Sequence, residues 1–313
     1  MKINKIQHKL LKIMCCQQTE CLTHNLKYNK MKLLKYIFPI LIAITIISCS
    51  SDDDDNTPDP INEVEDLLMV QQFSNDTHNI ELYTKSGEIS QGYNEFTIRL
   101  KDKTTQEFVE NATFMWMPMM HMEMMSHSCP KSSLMKVEGK ETIYNGYIVF
   151  QMPENEEEGW DLTFEYSINE ENFEAVGDIS VPASDKQIVT TFMGVDDVRY
   201  ILAYVEPNTP EVMINDMTVG LYKMENMMSF PVVENYTIML DPRMPSMGNH
   251  SSPNNEDLVY NAASSMYDGK LSLTMTGYWK LNLMLHNQDG DLLKGEMVTD
   301  DNESSSLFLE IEF

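Results

Sequence analysis

Side-chain alternation is the feature that most restricts the fold of this chain. Apolar residues occupy every second position in residues 162–168, 271–275 and 279–285, with mostly more polar residues between them. A period of two places one face of a strand in the core and the other in solvent. Turn-forming pairs punctuate the chain at Ser86-Gly87, Asn145-Gly146, Asp268-Gly269 and Asp289-Gly290, and no long segment has the period of an amphipathic helix. The sequence therefore predicts an all-β fold of antiparallel strands.

Several landmarks occur twice along the chain in the same order. Val-Glu-Asn at 109–111 recurs at 233–235, a shift of 124 residues, and His-Ser-x-Pro at 127–130 recurs at 250–253, a shift of 123. The near-constant shift indicates a duplicated unit of about 120 residues, a natural size for a sandwich domain. We therefore expect two tandem immunoglobulin-like antiparallel β-sandwiches, at residues 64–185 and 186–313.

Residues 31–48 have the layout of a lipoprotein signal peptide. Lys32 and Lys35 give a positive start, and the apolar stretch that follows is too short to span a bilayer comfortably. The Ile-Ile-Ser that precedes Cys49 resembles a bacterial lipobox, in which the cysteine carries lipid. We therefore expect a membrane anchor on Cys49, and we interpret residues 1–30 as a mis-annotated upstream segment, because Met31 starts the signal.

The residues after Cys49 are acidic, and 49–63 are expected to form a disordered tether. Their run Ser-Ser-Asp-Asp-Asp-Asp resembles a signal that sends lipoproteins to the cell surface. We therefore expect an outer membrane lipoprotein, on either the cell surface or the periplasmic face. The net charge of −27 argues against nucleic acid as a partner, because phosphate binding needs clustered Lys and Arg.

One segment is unusually rich in sulfur. Methionine occupies seven of the eleven residues from 115 to 125, with histidines in and beside the run. Thioethers and thiolates are soft ligands and imidazole is borderline, so together they favour copper, above all Cu(I), over Ca²⁺ or Mg²⁺. The expected first copper site is His121, Met124 and His127, with Met117, Met119, Met122 or Cys129 completing the shell.

The second unit repeats the spacing of this segment. With the shift of 123, the first triad falls on Met244, Met247 and His250, so both units have the pattern [His/Met]-x-x-Met-x-x-His-Ser-x-Pro. A second copper site is therefore expected at these three residues. The expected role is copper buffering, delivery or resistance, with a copper-handling envelope protein as partner.

Two other interpretations stay open. Methionine is a flexible apolar filler, so the run could serve core packing or a structural turn. It could also be a contact patch, which would make the protein a surface adhesion or accessory binding module. No nucleophile elbow or phosphate-binding loop is present in the sequence, and we expect no enzyme.

The methionine- and histidine-bearing loops are similar to those of YtkA-like domains. The resemblance rests on residues 118–122 with His127-Ser128, on 244–250, and on the closing strands that contain 150–152 and 273–279. It implies an immunoglobulin-like fold in an exported or membrane-attached protein, a family often discussed with copper handling. The chain departs from the pattern in its denser methionine run and in Cys129, where the second unit has Ser252.

Overall fold

The chain folds into antiparallel β-strands, which confirms the all-β class predicted from side-chain alternation. The computed structural model describes residues 62–313. The upstream segment 1–30, the signal peptide 31–48, Cys49 and the tether up to residue 61 lie outside the described residues. Within 62–313, no helix has the length and apolar character needed to cross a membrane.

Nine strands form the first half. They are β1 (Leu68–Ser74), β2 (His78–Thr84), β3 (Gly92–Asp102), β4 (Thr113–His121), β5 (Ser126–His127), β6 (Met135–Lys136), β7 (Ile143–Phe150), β8 (Gly159–Ile168) and β9 (Glu171–Ile179). They make two sheets, with the orders β1-β2-β3-β7-β6 and β5-β4-β8-β9.

Ten strands form the second half. They are β10 (Val189–Met193), β11 (Arg199–Glu206), β12 (Ile214–Lys223), β13 (Thr237–Met244), β14 (His250–Ser251), β15 (Glu256–Asn261), β16 (Met266–Ser272), β17 (Tyr278–His286), β18 (Leu292–Lys294) and β19 (Leu307–Glu312). A 3-10 turn at Pro245–Met247 connects β13 to β14. The order β10-β11-β12-β16-β15 repeats that of the first sheet, and β14-β13-β17 repeats β5-β4-β8.

The second half differs from the predicted two-sheet sandwich in one connection. Strand β15 pairs with β16 and also with β13, where Thr237 lies opposite Val259. The pairing joins all ten strands into one sheet that is nearly barrel-shaped. In the first half, the counterpart of β15 is β6, which has two residues where β15 has six. Because β6 is too short to pair with a second strand, the two sheets of the first half stay separate.

The two halves share buried hydrogen bonds at equivalent positions. The indole Nε1–H of Trp160 donates to the Met152 carbonyl at 3.0 Å, and that of Trp279 donates to the Met275 carbonyl at 3.0 Å. Both indoles are almost fully buried, so each needs such an acceptor. The local structure around the tryptophan is therefore repeated together with the strand order.

Each half has its own core, and a third apolar cluster lies between the halves. The cluster combines Val149 of β7 with Ile201 and Ala203 of β11, and with Tyr222 and Phe230. The Ser128 N–H also donates to the Met227 carbonyl at 2.8 Å, which links the halves through their backbones. The ends of β5 and β12 are therefore held close together.

Candidate functional site

The β4–β5 hairpin sorts the methionine run onto two faces. Met120 lies opposite His127, and His121 lies opposite Ser126. Directly opposite residues share a face, whereas consecutive residues of a strand point to opposite faces. Met120 and His127 are buried, and His121 is exposed. The two histidines of the predicted triad therefore lie on opposite faces of the hairpin.

Met124 lies at the tip of the same hairpin. The Met122 N–H donates to the Met125 carbonyl at 2.9 Å, which leaves Glu123 and Met124 as the tip residues. Met124 is 91% exposed. The structure therefore does not bring Met124 together with His127, although the sequence pattern placed them in one site.

A cavity of about 640 Å³ lies on the His127 side of the hairpin, between the two halves. Its lining contains one histidine and five methionines: His127, Met122, Met125, Met152, Met224 and Met227. Gln91, Gln151 and Arg199 are among its polar lining residues. Methionine thioethers are thus the main soft donors around this space.

His127 has the tautomer of a metal ligand. Its Nδ1 lies 2.7 Å from the Ser128 carbonyl oxygen, which can only accept, so Nδ1 carries the hydrogen. The Gln151 amide nitrogen is farther, at 3.3 Å, and it also donates to that carbonyl. In the neutral ring Nε2 then keeps its lone pair, and donation from the other ring nitrogen to a carbonyl is typical of metal-bound histidines.

The second half supplies two of the five methionines from a tight turn after β12. The Glu225 N–H donates to the Ser229 carbonyl at 3.0 Å, and the Asn226 side chain accepts from the Met228 N–H at 2.8 Å. These bonds fix the turn that carries Met224 and Met227. Its backbone contact with Ser128 then holds the turn against the hairpin of the first half.

Three other predicted ligands lie outside the cavity lining. Met117 and Met119 share the outer sheet face with His121, whose Nε2 lies 2.5 Å from Asp161 Oδ2. Cys129 is 2% exposed in the core of the first half. Burial raises the pKa of the Cys129 thiol well above its ordinary value, which disfavours the thiolate that binds metals.

The second predicted triad does not form an enclosed site. Met244 is 2% exposed and packs in the core of the second half. Met247 is exposed on the 3-10 turn and His250 is exposed on β14. Met244 lies opposite His250 just as Met120 lies opposite His127, so Met120 is the structural counterpart of Met244. The shift of 123 residues instead pairs Met244 with His121, one residue away.

Sequence reasoning missed four of the cavity residues. Met125 belongs to the methionine run but lies outside the predicted ligand set, and Met152 lies after β7. Met224 and Met227 belong to a second methionine-rich stretch at 224–228. The methionine content of that stretch is the sequence feature that could have indicated these two residues. Its proximity to the hairpin, however, depends on how the two halves pack together.

Among residues 62–313, no group of three or more His, Cys, Asp or Glu side chains is placed to hold a metal ion. Thioether sulfurs are a further class of metal donor in these residues. The cavity between the halves offers them beside one imidazole nitrogen.

Comparison with known proteins gives distant structural similarity. No protein-family profile matches the chain, and no curated protein matches it in sequence. A conserved domain protein from Bacillus anthracis is similar at 10% identity and a TM-score of 0.30, over 80% of this chain and 93% of that one. The Escherichia coli adhesin FdeC is similar at 12% identity and a TM-score of 0.23, over 77% of this chain and 65% of that one. The resemblance to YtkA-like domains stays a prediction.

Proposed function

We propose that this protein binds Cu(I) in the cavity between its halves, without catalysing a reaction. The ligands are His127 Nε2 and thioethers drawn from Met122, Met125, Met152, Met224 and Met227. The observation that carries the proposal is His127, which gives its Nδ1–H to a backbone carbonyl beside a cavity lined by five methionines. Soft thioethers with an imidazole favour Cu(I) among biological ions.

Exposure argues against core packing as the role of most of the methionine run. Of its seven methionines, only Met120 is fully buried, while Met115, Met124 and Met125 are at least half exposed. Packing would bury these side chains to gain the free energy of apolar transfer. Thioether donors at a surface or a cavity keep their sulfur available to an ion.

The envelope setting of the proposal comes from the sequence. Lipid on Cys49 would anchor the chain in the outer membrane, with the acidic tether between the lipid and the folded part. Each half would be an immunoglobulin-like domain of YtkA type, consistent with the repeated strand order. The role is copper buffering, delivery or resistance, with a copper-handling envelope protein as partner.

Cu(I) titration against a chromogenic chelator tests the proposal. We expect His127→Gln combined with Met125→Leu to weaken binding at this site by at least tenfold, roughly 1.4 kcal/mol. The His127 and Trp160 rings lie 5.7 Å apart, so a bound ion should also quench Trp160 fluorescence.

Matched controls lie in the same hairpin. His121→Gln and Met124→Leu change residues that do not line the cavity, and both should leave affinity and quenching unchanged. Micromolar or weaker Cu(I) binding in the parent, or equal quenching in the His127 variant, would remove the proposal.

A second candidate function is a surface binding module. Met124 at the hairpin tip is 91% exposed and Met115 on the outer sheet face is 64% exposed, so both offer apolar area to a protein partner. A chain that binds no Cu(I) but loses partner adhesion on Met124→Ser and Met115→Ser would favour this function.

A further inference from the structure

The outer face of the second half carries a methionine pair that the predicted sites do not include. Met239 of β13 lies directly opposite Met284 of β17. Both alternate with buried residues, so they point away from the core. Directly opposite side chains have their Cβ atoms about 4.5–5.5 Å apart, which lets two thioethers meet. The solvent-facing side of an antiparallel sheet is usually polar, so burial in the core does not explain why two methionines are paired here.

A third methionine is held beside the pair by a fixed loop. Met297 follows Gly295, where φ is +94° and an added Cβ would lie 2.2 Å from the Leu283 carbonyl oxygen, so the chain passes tightly against β17. The Met297 carbonyl accepts from Asn302 Nδ2 at 3.0 Å. The Glu296 N–H donates to Ser305 Oγ at 3.0 Å. Met297 is thus positioned by its backbone, although its side chain is 64% exposed.

The three methionines line one small cavity. Its volume is about 140 Å³, below the roughly 300–1,000 Å³ of pockets for organic ligands but enough for an ion with a few waters. Two carboxylates, Asp241 and Glu296, also line it. Both carboxylate oxygens of Glu296 accept hydrogen bonds from Ser306, at 2.6 and 2.8 Å, and Asp241 is paired with Arg243 at 2.8 Å. Glu296 therefore adds a carboxylate beside the three thioethers.

We propose that Met239, Met284 and Met297 form a second site for a soft monovalent ion, Cu(I) or Ag(I), on the outer face of the β13–β17 pair. Three thioethers select a thiophilic ion over Ca²⁺ or Mg²⁺. They stay neutral at every physiological pH, so the ion does not compete with protons for its sulfur ligands. The site shares no residue with the cavity between the halves, and it does not depend on that cavity binding metal.

Ag⁺ titration of the full chain in chloride-free buffer tests this site, because Ag⁺ resembles Cu(I) and needs no reductant. With ¹³C-methyl methionine labelling, the methyl resonances of Met239, Met284 and Met297 should shift together and saturate. The triple variant Met239→Leu, Met284→Leu and Met297→Leu should lose one bound Ag⁺ per chain. Met-to-Leu exchanges conserve volume and are well tolerated, and circular dichroism checks the fold.

The control variant replaces three exposed methionines that line neither cavity: Met69→Leu, Met213→Leu and Met228→Leu. It should bind as much Ag⁺ as the parent. His127→Gln with Met125→Leu should keep the shifts of the three methyl groups, which separates this site from the proposed function. Unmoved methyl resonances in the parent, or full Ag⁺ stoichiometry in the triple variant, would overturn the proposal.

Discussion

Cys129 shows, at the scale of one residue, that a suitable side-chain type is not enough to make a metal ligand. The sequence places its thiol next to His127, but the backbone turns it into the core of the first half. Burial raises the pKa of the thiol well above its ordinary value, so almost none is thiolate at neutral pH. A sulfur of this kind serves packing, whereas the neighbouring imidazole lines a cavity.

Cys129 is therefore expected to be inert to thiol reagents in the native protein. The full chain and its Cys129→Ser variant should release the same amount of chromophore from a disulfide reagent at neutral pH. After unfolding in guanidinium, the parent should react with one more thiol than the variant. A difference between the two native proteins would contradict the burial of this thiol.

His78 should make the first half sensitive to mild acid. Burial lowers the pKa of the ring, and this outweighs the opposing attraction of Asp102, whose carboxylate oxygen lies 3.9 Å from Nε2. His78 therefore binds a proton more readily in the unfolded chain than in the folded chain. The stability that neutral His78 contributes is complete above the unfolded pKa of about 6.5 and is lost as pH falls toward the lower, folded pKa.

Denaturant unfolding between about pH 7 and pH 5 measures this effect. The free energy of unfolding of the parent should decrease with acid, and His78→Phe should decrease less steeply. The comparison uses the change of the free energy of unfolding with pH, not its absolute value, because the variant also loses the contacts of Nδ1 with Thr77 and Tyr166. Parallel slopes would show that His78 is not held neutral.

At the scale of elements, the β8–β9 hairpin has a turn that its sequence does not favour. Asn169 and Glu170 both have positive φ, of 50° and 70°. This combination fits a type I′ turn, for which Asn-Gly is the preferred pair. Glu170 carries a side chain in a conformation that costs about 1 kcal/mol relative to glycine.

Glu170→Gly should therefore stabilise the protein by roughly 1 kcal/mol, because Glu170 is exposed and the turn geometry is unchanged. Thermal unfolding monitored by circular dichroism gives the measurement. Glu165→Gly, on the exposed face of β8 in extended backbone, is the matched control and should destabilise the chain. A lower melting temperature for Glu170→Gly would contradict the assigned turn.

Strands were predictable from the sequence, but the hairpin register was not. Alternation such as that of residues 279–285 identifies strands because only one face can be buried. The shift between the halves changes from 124 to 123 in the loop that follows Met120 and Met244, because that loop has one residue fewer in the second half. A slip of one residue moves a side chain to the other face, so the predicted triads mixed two faces.

At the scale of the molecule, the main feature of the candidate site is that both halves contribute to it. His127 and Met125 come from the first half, and Met224 and Met227 come from the second. No local pattern predicts this arrangement, because it depends on the apolar cluster around Tyr222 and Phe230 that packs the halves together. The abundance of methionine and histidine is visible in the sequence, whereas the grouping of these side chains around one cavity is not.

Metal binding should consequently stabilise the folded chain. An ion that binds the native state alone adds about 2.7 kcal/mol when its free concentration is a hundredfold above Kd. For a folded part of this size, the melting temperature should rise by roughly 5–10 °C. Differential scanning fluorimetry with and without Ag⁺ measures the shift, and Met227→Leu with Met224→Leu should reduce it. An unchanged shift in that variant would contradict a contribution from the second half.

The most direct test of the account is the position of the bound ion. Crystals of the chain grown with Ag⁺ should give an anomalous difference peak within bonding distance of His127 Nε2 and of at least one methionine sulfur from each half. A peak that contacts methionines of one half alone, or no peak beside His127 at saturating Ag⁺, would contradict the proposed site between the halves.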